Sequence, residues 1–138
     1  MKKLLPLVAL LVLTSTLSCK KFIEDKQRKA VLDAMTNGRW LVEQYFENGN
    51  NITSDFLNYE FQFYENGKVE GILGTNVANG TWEADVENYT ITSEFPAAGD
   101  PLAKLNNTWL IKDSYWDYVK AEATTANGKN VLHLRKKN

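Results

Sequence analysis

Turn-forming residues recur at short intervals along this chain and separate runs in which apolar and polar residues alternate. Tyr59, Phe61 and Phe63 alternate with polar neighbours, and Glu65-Asn66-Gly67 then supplies a tight turn into a second run. The same arrangement returns further along, with turn signals at Asn79-Gly80, Glu87-Asn88 and Asn127-Gly128. Turns about every eight to twelve residues are typical of antiparallel sandwiches and barrels. The pattern therefore predicts an all-β domain.

Eight strands are predicted, and we place them near residues 39–47, 57–64, 68–75, 78–85, 88–94, 107–113, 115–124 and 130–136. A sheet with apolar residues on one side buries one face, and closure into a barrel removes edges that would pair with other chains. We therefore expect a small eight-stranded antiparallel up-and-down barrel. The longest irregular stretch, residues 94–107, contains two prolines and a glycine and is predicted to form a lid or rim loop.

A short amphipathic helix is predicted before the barrel, over residues 22–35. Its apolar positions fall near helical spacing with charged residues between them. Asn37-Gly38 follows, and these two residue types tolerate the positive φ that ends a helix.

The first segment has the pattern of a bacterial lipoprotein signal. Two lysines follow Met1, residues 4–17 are largely apolar, and the small residue Ser18 precedes the single cysteine, Cys19. A membrane-spanning helix needs about 20 apolar residues, and this run is shorter and interrupted by Pro6. Lipidation of Cys19 is therefore predicted. Thr16 stands where such signals usually carry leucine, and cleavage by an ordinary signal peptidase nearby is the alternative.

These patterns divide the chain into a signal peptide at residues 1–18, a lipidated anchor with spacer and helix at 19–37, and a barrel domain at 38–138. The expected location is the cell envelope, lipid-anchored at the outer membrane and facing the periplasm, because acidic residues do not follow Cys19 closely. With one cysteine, intramolecular disulfides are impossible.

Charge and residue content argue against several classes of function. Residues 20–37 hold five basic and three acidic residues, whereas the chain from Arg39 onward holds nine basic and fourteen acidic ones. Nucleic acid is a poor partner for that balance. The single histidine, His133, alternates with two leucines as a solvent-facing strand residue would, and no second histidine or spare cysteine could complete a metal site or catalytic triad. We therefore expect no enzymatic activity, no cofactor and no metal.

Three stretches resemble one known family. Gly38-Arg39-Trp40, after a short helix and at the start of the first strand, is similar to the Gly-x-Trp signature of lipocalins and their calycin relatives. Residues 61–69 and Gly80-Thr81-Trp82 resemble the second hairpin of lipocalin-like bacterial lipoproteins. The resemblance covers residues 38–136, and Asp117-Tyr118 adds a faint likeness to the Thr-Asp-Tyr element, with Trp116 in place of threonine.

The resemblance implies a structural pair at one end of the barrel. In calycins the first-strand tryptophan closes that end and is covered by an arginine from near the C terminus. Trp40 and Arg135 are the matching residues here. The opposite, open end would then hold any ligand site, entered beneath residues 94–107.

The interior could hold a small ligand or be filled by its own side chains, because eight-stranded barrels do both. A ligand site would be lined by the aromatic and aliphatic residues of the inward-facing sets. These are Tyr45, Tyr59, Phe61, Phe63, Val69, Trp82, Tyr89, Ile91 and Trp109.

Two functions remain open from the sequence. One is an anchored lipocalin-like protein that binds a small hydrophobic ligand. The other is an interaction or inhibitor module that docks an envelope protein through a barrel rim or face, with Trp116 and Tyr118 as aromatic anchors. The sequence leaves the oligomeric state undetermined.

Overall fold

Nine β-strands, one α-helix and two short 3₁₀-helices make up residues 23–138, which are the residues that this computed structural model describes. The helix, α1, covers residues 23–36. The strands are β1 (Trp40–Glu47), β2 (Asn50–Asn51), β3 (Tyr59–Phe63), β4 (Lys68–Leu73), β5 (Asn76–Asp85), β6 (Thr90–Glu94), β7 (Asn107–Ser114), β8 (Tyr118–Thr125) and β9 (Gly128–Lys136). The predicted signal segment and Cys19 lie outside the described residues.

The strands form one antiparallel sheet that closes on itself. Neighbours in sequence pair from β3 to β9, and β9 then pairs with β1 from Trp40↔Lys136 to Glu47↔Asn130. The two-residue strand β2 only extends β1 through a hairpin whose turn, Asn48-Gly49, has positive φ at both residues. The prediction of an eight-stranded antiparallel barrel after a short helix is confirmed.

The two ends of the barrel differ. At the helix end, β1 begins, β9 ends, and turns at residues 64–67, 86–89 and 115–117 join the strands. Residues of the last two turns line a groove together with α1. At the loop end lie the 3₁₀-helices η1 (Thr53–Phe56) and η2 (Leu102–Leu105).

The loop end is closed by side chains that fold into the barrel. Phe56 of η1 and Phe95, Leu102 and Leu105 of the segment before β7 are all buried. Phe95 donates its backbone N–H to Asn106 Oδ1 at 2.6 Å, and the hydroxyl of Ser93 donates to the carbonyl of Leu105 at 2.5 Å. Residues 94–107 are therefore a plug, and the prediction of a lid over an open entrance was wrong. Apolar side chains in this loop gain more from burial than from covering a solvated mouth.

Two glycines make room for this plug. A Cβ on Gly80 would overlap the carbonyl oxygen of Glu94 and lie 2.8 Å from the ring of Phe95. A Cβ on Gly71 would lie 3.1 Å from a methyl group of Leu102. The absence of side chains at these two strand positions lets the plug approach the sheet backbone closely.

Candidate functional site

An apolar groove lies at the helix end, between α1 and the mouth of the barrel. The groove has a volume of about 330 Å³. The helix supplies Gln27, Ala30, Val31, Ala34 and Met35, and the barrel supplies Trp40, Ala84, Asp85, Val86, Tyr89, Thr90, Ile91, Ile111, Ser114, Tyr115 and Val119.

The helix is fixed above the barrel at its C-terminal end. Trp40 donates its indole N–H to the carbonyl of Met35 at 3.0 Å, and Met35 is itself buried. The Lys136 ammonium donates to the carbonyls of Ala34 and Asn37, which satisfies carbonyl groups that the helix end leaves unpaired. Gly38 then turns the chain into β1 with a φ of +84°. These contacts hold the C-terminal turn of α1, while its earlier turns stand over the groove.

The groove adjoins a smaller cavity inside the barrel. Met35, Ile91, Ile111 and Val119 border both spaces, so the two spaces are adjacent and these four side chains lie between them. The inner cavity measures about 40 Å³, which is room for only a few water-sized molecules. The interior is thus mostly filled by side chains, and the larger space lies at its mouth.

The predicted lining residues divide into two groups. Phe61, Phe63, Val69, Ile91 and Trp109 border the inner cavity. Tyr45 and Trp82 are buried away from it, Tyr59 is half-buried, and Tyr89 is 67% exposed at the edge of the groove. The predicted inward placement of Tyr89 was therefore wrong. Tyr89 precedes β6 in a turn with a φ of +56°, and there strand alternation does not apply.

Tyr45 helps to close the loop end. Its hydroxyl donates to the carbonyl of Lys104 at 2.7 Å and accepts from the Asn130 amide at 3.3 Å. Its ring stacks on Phe56 at 5.2 Å. Burial, with a smaller contribution from the nearby Glu47 carboxylate, raises the pKa of Tyr45 to about 12.

The cation that covers Trp40 is Lys136, and the predicted pairing of Trp40 with Arg135 was wrong. Lys136 lies opposite Trp40 in the register of β1 and β9, and its Nζ stands 4.3 Å from the centre of the indole ring. Arg135 is the next residue along the strand and therefore points to the other face. There it forms an ion pair with Glu43. The hydrogen bond that Arg135 donates to the Glu43 carboxyl lowers the pKa of that carboxyl.

Exposed aromatic side chains stand on two turns beside the groove. Tyr89 and Tyr115 are each 67% exposed and both border the groove, and Trp116, next in sequence, is 54% exposed. Trp116 lies in the turn between β7 and β8, whereas the sequence had placed it on a strand. Tyr118 begins β8, is half-buried on the outer face, and donates its hydroxyl to Asp113 Oδ2 at 3.2 Å.

The groove carries one ionisable carboxylate at its edge. Hydrogen bonds from Asn88 lower the pKa of Asp85, and the Arg28 cation on α1 adds to this effect. The other polar groups on the walls are neutral hydroxyls and the amide of Gln27. Such a surface suits a ligand with an apolar body and a small neutral or cationic polar group near Asp85.

Sequence reasoning did not place Met35, Ile111 and Val119 at the site, where they border both the groove and the cavity. The apolar stripe of α1 was visible in the sequence, but the helix was assigned to the anchor segment at residues 19–37 and not to the barrel domain. Burial of Met35 shows that the helix belongs to the folded body.

Within residues 23–138, no cluster of three or more histidine, cysteine, aspartate and glutamate side chains is placed to hold a metal ion. None of the helices in that range is long and apolar enough to span a bilayer. Every buried polar side-chain atom there has a hydrogen-bond partner.

Comparison with known proteins supports the fold. No protein-family profile matches the sequence, and no curated protein matches it. The structure is similar to the crystal structure of a DUF4847 family protein from Bacteroides vulgatus ATCC 8482, with a TM-score of 0.55 and 14% sequence identity. The match covers 78% of this chain and 99% of that chain. At this identity the likeness concerns the barrel fold alone.

Proposed function

We propose that this protein is a membrane-anchored, lipocalin-like lipoprotein that binds a small apolar ligand in the groove at its helix end. Cys19 carries the lipid, and the barrel lies at the outer membrane on the periplasmic side. The signal pattern that ends at Cys19 and the Gly-x-Trp resemblance at Gly38-Arg39-Trp40 support this assignment.

The groove between α1 and the barrel mouth carries the proposal. Ligand pockets typically measure about 300 to 1,000 Å³ and are lined mostly by apolar side chains. The groove, at about 330 Å³, is at the lower end of that range and adjoins the inner cavity at Met35 and Ile91. An acyl chain or a small ring system would fill it, with its polar group at the edge near Asp85.

Displacement of a fluorescent apolar probe tests this proposal. Ala30→Trp places a bulky side chain on the wall of the groove, and we expect it to weaken probe binding at least tenfold. Asp33→Trp adds the same side chain to an exposed position of α1 that does not line the groove, and it should bind the probe like the unaltered protein. Both variants should keep the barrel, which circular dichroism checks. Equal binding by all three proteins would refute this location of the site.

A second function is docking of an envelope protein through the helix end. The exposed rings of Tyr115 and Trp116 favour it, because solvent-exposed aromatic clusters are common in protein interfaces. Trp116→Ala should then abolish co-purification of the partner from cell envelopes, whereas Tyr118→Ala, at the half-buried neighbour, should reduce it less. Unchanged recovery with Trp116→Ala would exclude this face.

No catalytic step is part of the proposed function. His133 lies between Leu132 and Leu134, which border the inner cavity, so its imidazole is on the outer face of the barrel.

A further inference from the structure

Three exposed aromatic side chains lie on two turns at the helix end of the barrel. Tyr89 stands on the turn between β5 and β6, and Tyr115 and Trp116 stand on the turn between β7 and β8. Tyr89 and Tyr115 border the same groove, so the two turns are neighbours in space. We name these three residues the rim aromatics.

The chain enters the fold at this same end. Residues 27–35 of α1 line the groove together with Tyr89 and Tyr115, and the helix therefore crosses the barrel mouth beside them. Ile23, the first described residue, is one helical turn before Gln27.

Cys19 lies only four residues before Ile23. Four residues span at most about 14 Å when fully extended. The loop end lies about 20 Å further along the barrel, from the rise of an eight-residue strand and the usual strand tilt. A lipid on Cys19 would thus hold the helix end, and not the loop end, against the membrane.

We infer that the helix end is the membrane-facing end of this protein and that the rim aromatics insert into the interfacial layer of the bilayer, an inference that rests on the attachment at Cys19 proposed above. Tryptophan and tyrosine concentrate at the membrane–water interface, because each joins an apolar ring to a polar group that stays hydrated. Since Tyr89 and Tyr115 also border the groove, a protein docked in this way has its groove facing the lipid.

Charge does not decide this orientation. Asp85 ends β5, and Glu87 and Asp117 stand on the same turns as the rim aromatics. Arg28 and Lys29 stand on α1. The face therefore carries both signs, and insertion of the rings supplies the attraction. Binding should accordingly be visible on zwitterionic phosphatidylcholine vesicles.

The four tryptophans make the orientation measurable. Trp40, Trp82 and Trp109 are buried, and Trp116 is exposed at the helix end. A chain that begins at Cys19 keeps every residue of the described fold, and its single thiol can be coupled to vesicles that contain a maleimide lipid. Brominated phosphatidylcholine in these vesicles quenches tryptophans that enter the bilayer interface. This coupling does not depend on natural processing of Cys19.

A matched variant moves the reporter to the opposite end. Leu57, 70% exposed, follows η1 at the loop end, so Leu57→Trp in a Trp116→Phe background places the exposed indole away from the proposed membrane face. We expect brominated lipid to quench the Trp116 component of the emission by half or more and to leave the component from the Leu57→Trp variant unchanged.

Two outcomes would overturn the inference. One is the absence of quenching of Trp116, which would favour contact of the rim aromatics with a protein partner. The other is equal quenching of Trp116 and of the tryptophan in the Leu57→Trp variant. Neither outcome bears on probe binding in solution, which tests the groove separately. Loss of probe binding with retained quenching of Trp116 would refute the ligand site and leave the orientation standing.

Discussion

The Nζ of Lys136 stands 4.3 Å from the centre of the Trp40 ring and also donates to the carbonyls of Ala34 and Asn37. One side chain from the last strand therefore joins the end of α1 to the tryptophan that closes the barrel beneath it. Burial lowers the pKa of Lys136, so part of the cation–π attraction is offset by desolvation of the ammonium. The groove depends on this junction because Trp40 and Met35 both border it.

Lys136→Met should destabilise the protein by about 1–3 kcal/mol, since it removes a cation–π contact and two charge-assisted hydrogen bonds. Arg135→Met, at the neighbouring residue on the outer face, should destabilise the protein less than Lys136→Met, because the ion pairs of Arg135 are exposed to solvent. Urea denaturation measures both. A larger loss for Arg135→Met would restore arginine as the partner of Trp40.

Trp40→Ala should lower the free energy of unfolding by about 3–5 kcal/mol, because it leaves a cavity beneath α1 and unpairs the Met35 carbonyl. Trp116→Ala, at the exposed tryptophan, should change it by less than about 0.5 kcal/mol. Thermal melting followed by circular dichroism compares them. Similar melting temperatures for Trp40→Ala and the unaltered protein would contradict the closing role of this residue.

Gly80→Ala should be strongly destabilising, by about 2 kcal/mol or more, because its methyl group would overlap the Glu94 carbonyl and the ring of Phe95. Gly71→Ala should cost less, since the terminal methyl groups of Leu102 can move aside. Gly99→Ala meets no atom within 4 Å and serves as the neutral control. Denaturant midpoints in that order would support the plug, and a tolerated Gly80→Ala would show that residues 94–107 are displaced easily.

Tyr45 should make stability depend on alkaline pH. Its folded pKa of about 12 lies above the ordinary tyrosine value of about 10, so the folded state favours the neutral phenol. The stabilisation of about 3 kcal/mol that follows from this difference is present below pH ~10 and is lost as the pH rises through ~12.

Unfolding experiments across this pH range should show the decline in the unaltered protein and a smaller one in Tyr45→Phe. That variant should also be less stable at neutral pH by about 1–3 kcal/mol, because the Lys104 carbonyl and the Asn130 amide lose their partner. If tyrosinate absorbance showed that Tyr45 titrates near the ordinary tyrosine value of about 10, the loop end would have to admit water.

Alternation along the strands sufficed to predict most of the barrel. The predicted boundaries of β1, β7 and β9 agree with the structure to within two residues, because turn residues mark them in the sequence. Trp116 and Tyr89 were misplaced for the converse reason. Both lie in turns, where neighbouring side chains no longer point to opposite faces.

The candidate site was less predictable than the sheet. Phe61, Val69 and Trp109 point inward as alternation requires. Alternation does not show how much of the space between opposite strands the inward side chains fill. The larger free space lies where α1 crosses the mouth, and its size depends on contacts between distant residues such as Lys136 and Ala34.

The sequence by itself determined the strand order, the all-β class and the short helix, because turn chemistry and period-two alternation are local properties of the chain. Only the tertiary structure decided which end is closed and which residue covers Trp40. A register shift of one residue would place Arg135 opposite Trp40 in place of Lys136. The register depends on pairing between β1 and β9, which lie at opposite ends of the barrel domain in the sequence. The plug formed by Phe95, Leu102 and Leu105 depends likewise on the two glycines opposite it, whose role becomes visible only when the backbones are brought together.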